Sequence, residues 1–209
     1  MSKQISIAAI MNASVKGVCN AQRDYATWSG GLWLWEAPEY LSGTYVAQEI
    51  AKLAGKQGPW YLTMENSAKK AMDHAGATGK GRIHRKIRSN GRFDLLLWWG
   101  SDMPRAPIEI KCQVTEFTKI RADVERLNKV IHRKRSDTSF QFGMSVFYTS
   151  VNAKTGPEAK QKIEARISSI VESAKDNVGH ETKVLVKQSL IKKEDKSAWA
   201  VVAIALKPA

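Results

Sequence analysis

Asp94, Glu109 and Lys111 are the residues of this chain whose types and spacing suit joint chemistry. They fall in the stretch 90–113, NGRFDLLLWWGSDMPRAPIEIKCQ. The run 93–99 is short, apolar and bulky, and 107–114 is rich in β-branched residues, so both are predicted strands. Gly100, Ser101, Asp102 and Pro104 supply the turn between them. Strand side chains alternate between faces, which puts Glu109, Lys111 and Gln113 on one face and Ile108, Ile110, Cys112 and Val114 on the other. Asp94, at the start of its strand, is then expected opposite Glu109 across an antiparallel pair.

Two carboxylates held that close repel each other unless a cation lies between them or one takes up a proton. Oxygen ligands without a neighbouring thiolate or imidazole favour Mg²⁺ or Mn²⁺ over zinc. Such an ion orients a water, lowers its pKa and neutralises charge on a scissile phosphate. Lys111, two positions after Glu109, would face the same phosphate and stabilise the charge that develops there. The expected chemistry is metal-dependent phosphodiester cleavage.

Asp94 followed by Glu109-Ile110-Lys111 resembles the PD-(D/E)xK nuclease superfamily over roughly residues 60–150, with Phe93 standing where the motif's name has proline. The resemblance implies an α/β fold, a restriction-endonuclease-like sandwich with a mixed central β-sheet flanked by helices. It implies Asp94 and Glu109 as metal ligands, the carbonyl of Ile110 as a further ligand, and Lys111 assisting the attacking water. An upstream acid completes such a site. The run MENSAKKAMDHAG at 64–76 is similar to the first helix of archaeal Holliday-junction resolvases, a branch of the same superfamily, which makes Glu65 that acid. Glu49, on the preceding predicted helix, is the alternative.

The elements that must position these groups follow from periodicity. Pro38 opens a predicted helix over 39–53, ended by Gly55 and Gly58-Pro59. A second is expected over 64–75, with Thr63 as N-cap and Glu65 in its first turn, where the helix dipole alone would also favour an acid. Residues 82–88 are a strand candidate closed by the hairpin signal Asn90-Gly91. From 115 to 134, Phe117, Ile120, Val124, Leu127 and Ile131 form one helical stripe. A strand over 139–151, a helix opening at Gly156-Pro157 and a hairpin of 184–191 with 199–206 complete the order. The first 35 residues show helical spacing through Met11, Val15, Val18 and Tyr25 up to Gly30-Gly31. Trp28, Trp33 and Trp35 then read as packing residues rather than a base-stacking group.

At 209 residues and 43% apolar, the chain is long enough for one domain with a substantial core. We read 1–209 as that domain, 1–59 as an N-terminal elaboration and 60–150 as the core motif region. Lys and Arg number 33 against 20 Asp and Glu, a net charge of +13 that suits a polyanion. DNA is the first expectation and RNA the second. Arg82, Arg85, Lys86, Arg88 and Arg92, with Lys80, cluster beside the acids where phosphates would pass, and Lys134 and Arg135 end the basic face of the following helix. The apolar run 5–11 is far short of the roughly 20 residues of a membrane helix. Two cysteines do not make a disulfide framework, so a cytoplasmic location is expected, and a homodimer is admitted. The reading is a Mg²⁺-dependent DNA endonuclease. A nucleic-acid-binding module without turnover, or a ribonuclease, are the alternatives.

Overall fold

Seven strands in one mixed sheet organise the chain, and two pairs of long helices cover it. The computed structural model describes residues 4–57, 60–79, 81–133 and 136–209, the side chains of 54–57 and 194 excepted. Gly58, Pro59, Lys80, Lys134 and Arg135 lie outside the described residues. Helices α1 (Ile7–Ser29) and α2 (Glu39–Gln57) come first, then β1 (Leu62–Ser67), the short α3 (Ala68–His74), β2 (Arg92–Trp98) and β3 (Pro104–Lys111). Next are α4 (Thr118–His132), β4 (Gly143–Asn152), α5 (Gly156–Val178), β5 (Thr182–Gln188), β6 (Lys192–Glu194) and β7 (Ser197–Pro208). The sheet order is β1-β2-β3-β4-β7-β5, with β6 also on β7. All pairs are antiparallel except β3 with β4. Two parallel strands need a crossover, and α4 is that crossover.

Alternation within the strands decides which helices cover which face. Leu95, Leu97, Ile108, Ile110 and Val146 pack with Ile10, Val18, Val46 and Ile50 of α1 and α2. Phe147, Val202 and Ile204 face the opposite way, onto Ile120 and Leu127 of α4 and Ile163 and Ile170 of α5. The expected stripe of Phe117, Ile120, Val124, Leu127 and Ile131 is buried throughout. Gly17 lets α1 and α2 close on one another, since a Cβ there would stand 2.7 Å from the Cα of Val46. The fold is therefore α/β, a mixed sheet between helical layers. No helix among the described residues is long and apolar enough to cross a membrane.

Several local expectations are corrected. Residues 64–67 are strand rather than helix: Thr63, Met64 and Asn66 pair with Leu96, Leu95 and Phe93 of β2. The helix starts later, at Ala68, where the Ser67 hydroxyl accepts the Lys70 N–H. Thr63 is not a cap, because its hydroxyl accepts from the Trp98 indole at 2.7 Å and the Asn66 amide at 2.6 Å. Residues 82–88 are not a strand. Ile83 and Ile87 are four apart and pack under a loop, in which Arg85–Ile87 make one 3-10 turn capped by the His84 ring. Asn90-Gly91 closes no hairpin; Gly91 donates to the Arg88 carbonyl and accepts the Ala68 N–H. Strand β3 ends at Lys111, so Gln113, at φ 56, leaves the alternating pattern. Trp33 packs against the core and the Trp28 ring lies 6.4 Å from that of Tyr45, while Trp28 and Trp35 are still 63% and 45% exposed.

Candidate functional site

The ladder between β2 and β3 runs from Trp98 and Pro104 to Leu95 and Ile108 and then stops. Beyond it, β2 continues to pair with β1 as far as Arg92, and β3 with β4 as far as Lys111. The two strands therefore diverge just past the last pair, at the level of Asp94 and Glu109. Glu109 follows Ile108 onto the opposite face, where it meets Arg126 of α4, while Asp94 lies past the last pair and reaches across the gap to β3. The ladder ends one residue short of pairing Asp94 with Glu109, and the two carboxyls are near enough that the Asp94 charge adds to burial in raising the Glu109 pKa.

Asp94 is half-buried and spans the gap: its Oδ2 accepts the N–H of Ile110 at 2.7 Å. Burial raises its carboxyl above the ordinary range. The Ile110 N–H and the Lys111 charge oppose that rise, while Glu39 and Asp123 add to it. Glu109 is only 3% exposed, and desolvation pushes its carboxyl up to about 8 against the pull of Arg126. Arg126 Nη1 donates to Glu109 Oε1 at 2.6 Å. The same guanidinium donates to the carbonyls of Ile87 and Arg92 and lies 4.2 Å over the Phe93 ring, which fixes its plane.

Lys111 Nζ sits 2.7 Å from Glu39 Oε1, in the first turn of α2. Burial works to lower the Lys111 pKa, but the Glu39 hydrogen bond and the charges of Glu39, Asp123 and Asp94 outweigh it and hold the ammonium above its usual value. Asp123 on α4 binds Arg88 at 2.5 Å, and that Arg88 nitrogen is also 3.9 Å from Glu109. The site is a charge-alternating cluster of Asp94, Glu109, Asp123 and Glu39 with Lys111, Arg126 and Arg88.

Two buried polar atoms beside Glu109 have no hydrogen-bond partner among the described residues. Ser145, the residue of β4 in register with Glu109, has an unpaired Oγ, and Arg126 an unpaired Nη2. Buried polar atoms are nearly always satisfied, so such orphans mark a place for water or a ligand. Asp94 Oδ1 and Glu109 Oε2 are likewise without a hydrogen bond among the described residues. Two carboxylates each offering one oxygen fit a hard divalent ion, which takes one or two protein carboxylates and completes its shell with water and phosphate. Among the described residues no group of three or more His, Cys, Asp or Glu side chains is assembled to hold an ion.

Of the sequence candidates, Asp94, Glu109, Ile110 and Lys111 come together. Glu65 does not join them. It is level with Asp94 on β1, but at φ 54 it drops out of the ladder, is exposed, and has Arg92 at 4.0 Å as its ionic neighbour. Glu49 is buried on α2 among Lys16, Lys52 and Asn20, and its pKa is lowered: the Lys52 hydrogen bond contributes most, and with Lys16 it outweighs burial. Glu39, Asp123 and Arg126 are site residues that sequence reasoning missed. Asp123 is three residues after Ile120 and four before Leu127, hence within the apolar stripe, and a charge at such a position is the available sign of a buried polar site. Of the basic residues, Lys86 is paired with Glu125 and Arg88 with Asp123, while Arg82 and Arg85 are exposed with no ion-pair partner among the described residues. No family model, curated protein or solved structure matches this chain, so its candidate site stands on geometry and charge.

Proposed function

We propose that this chain is a Mg²⁺-dependent (or Mn²⁺-dependent) DNA endonuclease of the PD-(D/E)xK type. The observation that carries the reading is the level placement of Asp94 and Glu109 on adjacent strands that diverge at that point, with Lys111 one repeat further along β3. The element order is in keeping with it: helix α2, the antiparallel strands β1, β2 and β3 with the short α3 between the first two, helix α4 and the parallel strand β4 are what a restriction-endonuclease-like core would require.

Asp94 and Glu109 would hold the ion, with the Ile110 carbonyl as a further ligand, and Glu39 takes the place of the upstream acid beside Lys111. The ion supplies Lewis acidity and a water of lowered pKa. Lys111, kept protonated by Glu39, donates to a phosphoryl oxygen as charge accumulates on it. Arg82 and Arg85, without an ion-pair partner among the described residues, offer their guanidinium groups to the backbone on one flank of the site, and Arg92 lies nearby. Both cysteines are free thiols, which suits the reducing cytoplasm.

A second reading has its own observation. Arg126 already neutralises Glu109, as a cation would, so the same fold without turnover would serve as a nucleic-acid-binding module. Incubation with linear duplex, single-stranded and branched DNA and with RNA, in Mg²⁺ or Mn²⁺ and in chelator, decides between them. Metal-dependent cleavage of DNA is the expected result. Binding without cleavage establishes the module, and cleavage of RNA alone keeps the chemistry and changes the substrate.

A further inference from the structure

The segment joining α1 to α2 exposes aromatic surface that the fold does not use. Trp35 is 45% exposed, and Leu32 and Tyr40 flank it at 43% and 71%. Trp33 and Trp35 form one wall of a cavity of about 190 Å³, whose other walls are Gln113, Asn152 and Arg166. That volume is below the ~300–1,000 Å³ of pockets for drug-sized ligands and leaves room for a ligand of small size only.

The polar wall is prearranged. Gln113 Oε1 accepts the Ser150 hydroxyl at 3.0 Å, which turns the amide so that its NH₂ is left for a ligand. Arg166 Nη1 donates to the Ser150 carbonyl at 2.6 Å and to the Thr149 hydroxyl at 3.4 Å, and its Nε and Nη2 have no partner among the described residues. Desolvation lowers the Arg166 pKa, as expected of a half-buried guanidinium without a carboxylate. An aromatic face, an amide able to read the edge of a heterocycle, and a guanidinium for an adjacent phosphate are the groups that recognise an unstacked base. Gln113 follows Lys111 by two residues, about 7 Å of chain at most. A base held here therefore keeps its own sugar-phosphate close to the candidate cleavage site.

We propose that the Trp33–Trp35–Gln113–Arg166 cavity binds one unstacked nucleobase of a single-stranded segment adjoining the scissile phosphate. The inference rests on the nuclease reading for its substrate class, and its test separates the two. Binding of fluorescently labelled single-stranded oligodeoxynucleotide, an abasic strand of the same length and a blunt duplex is measured with the full chain in chelator. The normal strand should bind more tightly than the abasic one. Trp35→Ala should remove that advantage, a loss of roughly 5- to 150-fold, the size of one base–aromatic stack. Affinity for the abasic strand and the duplex should stay as in wild type, and Trp35→Phe should retain the preference. Equal affinity of wild type for normal and abasic strands, or an equal loss on all three ligands in Trp35→Ala, overturns the base pocket. Metal-dependent cleavage is assayed on the same samples: cleavage without a base preference overturns the pocket alone, and a base preference without cleavage overturns the nuclease reading alone.

Discussion

Arg126 of α4 and Glu109 of β3 form an ion pair in which both side chains are nearly inaccessible, 3% and 4% exposed, with 2.6 Å between Nη1 and Oε1. Removing one partner of such a pair leaves an uncompensated buried charge, which costs about 3–5 kcal/mol. Arg126→Met should therefore lower the stability to urea by about that much when Glu109 is ionised, and by less when Glu109 can take a proton. Adding Glu109→Gln to Arg126→Met should recover some of the loss. A double-mutant cycle with no coupling between the two would remove the pair from the account of stability.

The raised Glu109 carboxyl sets a pH dependence of definite sign. Unfolded, the carboxyl titrates near its ordinary value of 4.5; folded, near about 8. Between those values the folded state keeps a proton that the unfolded state has lost, so stability should fall as pH rises across that window. Glu109→Gln should flatten the slope. A metal ion needs the carboxylate, so ion binding should release a proton below about 8 and tighten as pH rises. Calorimetry in buffers of different ionisation enthalpy counts that proton. An ion affinity flat from acid to neutral pH would mean that Glu109 is not a ligand.

Asp94→Asn and Glu109→Gln should each abolish ion binding and cleavage while leaving DNA binding in place, because phosphate contacts come from the basic surface. Lys111→Ala should instead keep the ion and lose turnover by about 10²–10³, the typical cost of one transition-state hydrogen-bond donor. Single-turnover rates together with calorimetric ion affinity separate the two classes. Loss of ion binding in Lys111→Ala would assign the lysine to holding the acids.

Legibility followed the strength of the pattern. The α4 and α5 stripes were readable because one face of each is buried and the period is fixed by that burial, and the strands bearing Asp94 and Glu109 because each is a short apolar run buried on both faces. The segment 64–67 misled because its helical signals belong to the turn that follows: Ser67, not Thr63, offers its hydroxyl to a free helix N–H, and pairing with β2 claims Met64, Asn66 and Ser67. Residues 82–88 misled because strand-like composition does not supply a partner; β1 already occupies the open edge of β2. Arg126 and Asp123 became visible as site residues only in three dimensions, since their partners Glu109 and Arg88 are 17 and 35 residues away.

The loop carrying Arg82 and Arg85 offers a salt test. Each phosphate neutralised contributes about 0.9 to the slope of log affinity against log salt on duplex DNA. Arg82→Ala with Arg85→Ala should lower the slope by up to about 2 and weaken binding alike on unrelated sequences. Lys86→Ala should do less, because Glu125 holds that ammonium at 2.9 Å. A slope unchanged in the double variant would move the DNA path to another face.

Three glutamates separate by position into three phenotypes. Glu39 touches Lys111 directly and stands within electrostatic reach of Asp94, so Glu39→Gln should slow cleavage and release the hold on the lysine, shifting the basic limb of the pH–rate profile downward. Glu65 is exposed, and its ionic neighbour Arg92 lies at 4.0 Å, so Glu65→Gln should leave both cleavage and stability near wild type. Glu49 is buried among Lys16, Lys52 and Asn20, away from Asp94, so Glu49→Gln should lower the melting temperature and spare the rate per folded molecule. The three variants are compared at equal folded fraction, with thermal melts run on the same preparations as the pH–rate profiles. A cleavage defect confined to Glu65→Gln would restore the acid on β1 as the third carboxylate, and one confined to Glu49→Gln would move the site along α2.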